Sequence, residues 1–143
     1  VSRQKIIRNY SMQDSIFTKI INGEIPCHKI YEDEYTFAFL DIYPSCEGHT
    51  LVVHKVPTEF IWDLTDEQYG QLLRTVKKLA LHFRKVSGKP YVKMDVIGTD
   101  VPHNHIHLKP FAVPSETHKA DRTKIEPDHA ALARIAERFR LDD

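Results

Sequence analysis

The segment Gly98-Thr99-Asp100-Val101-Pro102-His103-Asn104-His105-Ile106-His107-Leu108-Lys109-Pro110 constrains this chain more than any other. Its alternation predicts a β-strand over 103–109, closed by Pro110. Side chains on a strand alternate between faces, so His103, His105 and His107 project together. Asn104, Ile106 and Leu108 then share the opposite face, which the two aliphatic residues mark as buried. An imidazole ladder is not ordinary core filler, because each buried ring needs polar partners. Imidazole also titrates nearest neutral pH, so one ring can attack while a neighbour donates or accepts a proton. Gly98 leads a turn that can bring backbone amides close to an anion. Three readings are open at this point: an idle ladder, a zinc site completed by His49 or His54, and nucleophilic phosphorus chemistry.

The rest of the chain predicts what supports that strand. Residues 1–13 are basic, polar and aperiodic, an N-terminal extension, with Met12 a candidate natural start. Asp14 or Ser15 can cap a short helix whose stripe is Ile16, Phe17, Ile20 and Ile21, ended by Asn22-Gly23 and followed by Pro26. Strands are expected over 28–32, 35–40 and 49–54. Thr65 with Gln68 predicts a capping box opening a long helix through Leu72, Val76, Leu79 and Phe83, stopped by Gly88 and Pro90. A half-buried strand follows over 91–97, with Val92, Met94 and Val96 on its apolar face. Residues 112–126 read as a loose polar tail and 127–140 as a final helix with Leu132, Ile135, Ala136 and Phe139 inward. Antiparallel strands split by one long helix make an α+β fold the economical class.

Composition excludes several functions. Lysine plus arginine and aspartate plus glutamate both number 20, so no net field attracts nucleic acid or an anionic membrane. Charged and polar residues interrupt every apolar run before the ~20 residues a membrane span needs. Cys27 and Cys46 form no CxxC pairing, and free thiols in a reducing cytoplasm are expected. A cytoplasmic protein with no cofactor follows as the expectation.

The histidine ladder resembles the signature of the histidine triad (HIT) family. Upstream blocks add to the likeness: Asp14 to Ile21, Gly23-Glu24-Ile25-Pro26, Tyr31-Glu32-Asp33, Ala38-Phe39-Leu40-Asp41-Ile42 and Gly48-His49-Thr50-Leu51-Val52-Val53 are similar, in order and spacing, to the Hint-like branch. The resemblance divides the chain into the extension 1–13, a HIT-like catalytic domain over 14–111, and a tail over 112–143 carrying the last helix. It implies a purine nucleotide hydrolase acting at the α-phosphorus, with His105 as nucleophile, His107 on the phosphate, His103 holding the array and His49 nearby. It places the nucleoside against Ile16, Phe17, Ile20, Phe39, Leu40, Ile42 and Leu51, with Asp41 accepting from the ribose. Gly98, Thr99 and Asp100 fall at the phosphate and leaving group. Phosphoramidates, aminoacyl-adenylates and dinucleoside polyphosphates are the implied substrates. The resemblance also implies a homodimer built around the long helix. A nucleotide-binding scaffold with little catalysis is the alternative.

The chain departs from the family's pattern in places that matter. Ser15 and Thr18 stand where zinc-binding members carry cysteines, so that subgroup's structural zinc is not expected. Asn104 faces inward and needs hydrogen bonds, or its burial costs ~1–3 kcal/mol. Lys109 is expected to end the strand and reach solvent. Thr99 and Asp100 replace the glutamine and serine usual in Hint-like members, and a carboxylate there repels phosphate. The apolar pocket shows no residue that would read the edge of a base.

Overall fold

The computed structural model describes residues 15–118 and 126–142. Expectations for the extension 1–13, for Asp14 and for 119–125 lie outside those residues. Five antiparallel strands form one sheet: β1 Lys29–Glu32, β2 Thr36–Leu40, β3 Thr50–His54, β4 Tyr91–Asp95 and β5 Ile106–Phe111, in the spatial order β1-β2-β3-β5-β4. Among the described residues three helices accompany it, α1 Ile16–Ile21, α2 Asp66–Ser87 and α3 His129–Phe139, with 3-10 turns at Ile61–Asp63 and Pro114–Thr117. This is the α+β architecture expected from the sequence.

The sheet is covered on both faces. Ile30, Ala38, Leu40, Val52, Ile106 and Leu108 face α2 and α3, meeting Leu72, Leu79, Phe83, Leu132 and Phe139 in the larger core. Phe37, Phe39, Leu51 and Val53 face the other way and pack with Phe17 and Ile20 of α1. Because side chains alternate, His105 and His107 must share that second face, flanking the inward-facing Ile106. The functional face is therefore the one roofed by the six-residue α1. So short a helix is stable only through such packing.

Local chemistry sets the element ends. Ser15 caps α1 by accepting from the Thr18 N–H at 3.1 Å. Thr65 and Gln68 form the reciprocal capping box of α2, and Gly88 closes it at φ +71°. Asp128 caps α3 through the Ala131 N–H at 3.0 Å. Gly48, at φ +89°, leads into β3, and a Cβ there would lie 2.6 Å from Phe139 Cε2. Its bare backbone lets α3 close against the sheet.

Four expectations are corrected. The strand begins at Ile106, not at His103, and runs through Pro110 to Phe111. The first two ladder residues are drawn off the sheet by other bonds: His103 N–H turns back to Val101 O, and Asn104 N–H donates to Thr58 O, each at 2.8 Å. Lys109 does not reach solvent; it is buried, with Nζ 3.0 Å from Asp95 Oδ2 on β4. The strand expected over 91–97 stops at Asp95, and Met94 and Val96 are exposed rather than inward. The segment after 111 is not uniformly loose. Glu116 accepts from the Ala112 and Val113 N–H groups and pairs with Lys89, closing the turn Pro114–Thr117.

Candidate active site

Asn104 anchors the loop that carries the first histidines. Its Oδ1 accepts from His54 N–H at 2.7 Å and its Nδ2 donates to Val56 O at 2.8 Å. The inward amide is thus satisfied, as its burial requires. His103 is wholly buried beside it, donating Nε2–H to His54 O at 2.8 Å, with Nδ1 facing Thr18 Oγ1 at 3.4 Å. Both of its nitrogens are occupied by the scaffold, so His103 braces the site.

The remaining rings have their tautomers set by their neighbours. His105 donates Nδ1–H to the His103 carbonyl at 2.7 Å, so its Nε2 carries the lone pair. Ser45 N–H donates to His49 Nδ1 at 3.0 Å, so neutral His49 bears its hydrogen on Nε2. That hydrogen points to His107 Nδ1, 2.9 Å away. His107, accepting there, carries its own hydrogen on Nε2. The Nε2 atoms of His105 and His107 are buried and make no hydrogen bond among the described residues. A lone pair and an N–H donor therefore stand side by side, their rings 5.1 Å apart. That combination can attack an electrophilic centre and hold one of its oxygens.

Burial reinforces these states. Desolvation, with the neighbouring His105 second for His107, pushes His103 and His107 down to about 4 from an ordinary value near 6.5. Between those values the unfolded chain takes up protons that the folded site refuses. Stability is therefore full above about pH 7 and falls as the pH drops through 6.5 towards 4, by about 3 kcal/mol for each ring. Chemical denaturation followed between pH 7.5 and 4 checks this; a midpoint independent of pH there would contradict the neutral assignment.

An apolar cavity of about 520 Å³ opens beside the histidines. Ile16, Phe17, Ile20, Phe39, Leu40, Asp41, Ile42, Leu51 and Asp100 line it. Phe17 stands edge-on to His105 with centroids 5.1 Å apart, joining this cavity to the imidazoles. Asp41 Oδ1 accepts from Tyr43 N–H at 2.8 Å, while Oδ2 approaches His49 Nε2 at 3.5 Å. The carboxylate is thus both a turn cap and part of the cavity wall. Gly98 and Thr99 are not on that wall; Gly98, at φ +80°, turns the chain near Phe60. Asp100 leans over the His105 ring, Oδ1 3.3 Å from His105 Nε2. Sequence reasoning missed Ile25, Pro26, Cys27, His28, Tyr43, Val101 and His129, which complete the wall. His129 arrives from α3, where periodicity gave no hint of it.

The residues do not fit a zinc ion. Ser15 and Thr18 offer hydroxyls, which bond each other at 3.0 Å, where thiolates would be needed. Asp41, His49 and His107 converge, as do Asp100, His105 and His107. In the first group His49 Nε2, and in the second His107 Nε2, carries a hydrogen set by the relay from Ser45, so neither group presents a full set of lone pairs.

Comparison with known proteins identifies the family and the fold. The model of the HIT domain matches residues 22–111. The protein named hit of Bacillus subtilis is 36% identical over 139 residues, 89% of this chain and 95% of its own length. The adenosine 5'-monophosphoramidase HNT1 of Saccharomyces cerevisiae is 36% identical over 96 residues, 66% of this chain and 61% of its own. Among solved structures, a Hit-like protein from Bartonella henselae superposes with a TM-score of 0.75 at 27% identity, covering 90% of this chain and 95% of that one. Among the described residues, no helix is long and apolar enough to cross a membrane. A domain match over residues 22–111, carried on this sheet with its histidine array, makes the chain a member of the HIT family.

Proposed function

We propose that this chain hydrolyses purine nucleotides at the α-phosphorus through a nucleotidyl intermediate on His105. The observation that carries the reading is the pairing of a buried His105 Nε2 lone pair with a His107 Nε2–H at an apolar cavity bearing Asp41. His105 Nε2 attacks phosphorus, a P–N bond forms, and the bond to the leaving group breaks as that group gains a proton. His107 holds a non-bridging oxygen while charge grows on it. Water then attacks the same phosphorus, releases the nucleoside monophosphate and restores His105. The base would lie between Phe17, Ile20, Phe39 and Leu51, with Asp41 accepting from ribose. The resemblance to a named monophosphoramidase supports this substrate class.

Asp100 sharpens the choice of leaving group. A carboxylate 3.3 Å from the attacking nitrogen repels a polyphosphate and tolerates an amine. Phosphoramidates, whose leaving group is an amine, are therefore favoured over dinucleoside polyphosphates. Steady-state kcat/KM for an adenosine phosphoramidate and a diadenosine polyphosphate tests this. Asp100→Asn should raise the polyphosphate value about tenfold relative to the phosphoramidate value, and less at high salt. An unchanged ratio would remove Asp100 from leaving-group choice, and absence of turnover on both substrates would sink the hydrolase reading.

We also propose that the chain is a homodimer. β4 is a sheet edge, and Tyr91 and Met94 on it, with Val96 and Ile97 just after it, are exposed apolar residues beside an unpaired strand edge. Leu81 of α2 and Trp62 add exposed apolar surface. Sedimentation should report two chains, and one chain after Met94→Lys with Ile97→Lys; a monomeric parent protein would overturn the assignment.

A further inference from the structure

Attack by His105 uses the imidazole lone pair that faces phosphorus. Once Nε2 is bonded to the nucleotide, an incoming water must still lose a proton, and the other rings are not placed to take it. His107 bears its hydrogen on Nε2 and accepts at Nδ1 from His49. His49 Nδ1 accepts from Ser45 N–H, and the nitrogens of His103 meet His54 O and Thr18 Oγ1. Two neighbouring carboxylates are engaged as well. Asp41 caps the turn at Tyr43 and faces His49, while Asp95 Oδ2 lies 3.0 Å from Lys109 Nζ and 3.7 Å from Lys93 Nζ.

Asp100 differs from both. It lies in the bend between β4 and β5, outside any helix or strand, and its side chain is 58% exposed, so water reaches it. One of its oxygens and a nitrogen from each of His105 and His107 fall within 4.8 Å of one another. His105 Nε2 makes no hydrogen bond although Asp100 Oδ1 is 3.3 Å away, so the carboxylate sits off the lone-pair axis and flanks the line of attack. Water in line with the P–N bond stands beyond phosphorus, about 5 Å from Nε2 for an attack distance of about 3 Å. A short outward swing of the exposed side chain brings the carboxylate to that water.

We propose that Asp100 is the general base of the second half-reaction, taking the proton of the water that releases the nucleotide from His105. The inference rests on the nucleotidyl-His105 reading above. As water attacks, its oxygen forms the P–O bond and one of its protons passes to the Asp100 carboxylate. The P–N bond breaks, and its electron pair returns to His105 Nε2. The Nδ1–H held on the His103 carbonyl makes the nucleotidyl ring a cation, so the imidazole departs neutral. Asp100 then gives its proton to solvent, which its exposure allows. One carboxylate thus disfavours a polyphosphate in the first half-reaction and serves water in the second.

The test is single-turnover rapid quench with mass spectrometry on an adenosine phosphoramidate, for the full chain and its variants Asp100→Asn and Asp100→Glu. Asp100→Asn should still form the nucleotidyl group on His105 but release it to water about 10²-fold more slowly, so that the adduct accumulates. Asp100→Glu, which keeps a carboxylate, should recover part of that rate. Azide attacks phosphorus with no proton to lose, so it should discharge the adduct of Asp100→Asn no more slowly than that of the parent protein. Discharge by water at the parent rate in Asp100→Asn overturns the proposal and leaves the hydrolase reading standing. Equal slowing with water and azide also overturns it, because a disturbed loop rather than a lost base would explain both. Turnover with no adduct on His105 in any of the three proteins overturns the nucleotidyl reading and this inference together.

Discussion

His105→Ala should lose turnover of an adenosine phosphoramidate by on the order of 10⁵-fold, while AMP still binds and the fold is kept. The expectation follows from the division of labour in the site. On the proposed reading, binding energy comes from Phe17, Ile20, Phe39 and Leu51, which pack with one another in one core cluster. The His105 ring spends its Nδ1–H on the His103 carbonyl, leaving a lone pair on Nε2, the proposed nucleophile. Alanine removes that atom, and His103 cannot replace it because both of its nitrogens are engaged by the scaffold. Rapid quenching of the parent protein with a slow phosphoramidate, followed by mass spectrometry, should locate one nucleotidyl group on His105. A covalent adduct on another residue, or a variant retaining a tenth of the parent rate, would refute the assignment.

His49→Phe should lower kcat by about 10²-fold with little change in KM. His49 does not need to touch substrate to matter. Ser45 N–H directs the His49 hydrogen onto Nε2, and that hydrogen holds His107 as an Nε2–H donor. Phenylalanine fills the space but leaves His107 Nδ1 without its donor. The ring can then move its hydrogen to Nδ1, and a lone pair faces the phosphoryl oxygen instead of an N–H. The unpaired nitrogen also costs ~1–3 kcal/mol of stability. His49→Gln, which keeps an N–H donor, should recover part of kcat. Equal kcat loss in both variants, with unchanged pH dependence, would assign His49 a packing role only.

Much of this molecule was legible from residue order alone. The Thr65 capping box, the stripe of Leu72, Val76, Leu79 and Phe83, and the glycine stop at Gly88 are local signals, and α2 follows them closely. Phe17 and Ile20, too, were readable as one helical face. Strand ends were not, because an edge depends on what competes for the backbone. His103 and Asn104 have strand-like spacing, yet Val101 O and Thr58 O capture their N–H groups first. Lys109 looked like a solvated terminus because its partner, Asp95, is fourteen residues away on a neighbouring strand.

Residue order by itself determined the chemistry on offer: three alternating imidazoles, an inward Asn104, an Asp41 within an apolar run, and an α+β frame to carry them. Those are matters of spacing and side-chain type. Only the tertiary structure decided what each ring does. A neutral imidazole is donor or acceptor according to the groups that meet its two nitrogens, and those groups lie far off in sequence: Ser45 and His49 for His107, His54 for His103. The same holds at the far end of the cavity, where folding sets His129 against His28 across 101 positions of chain.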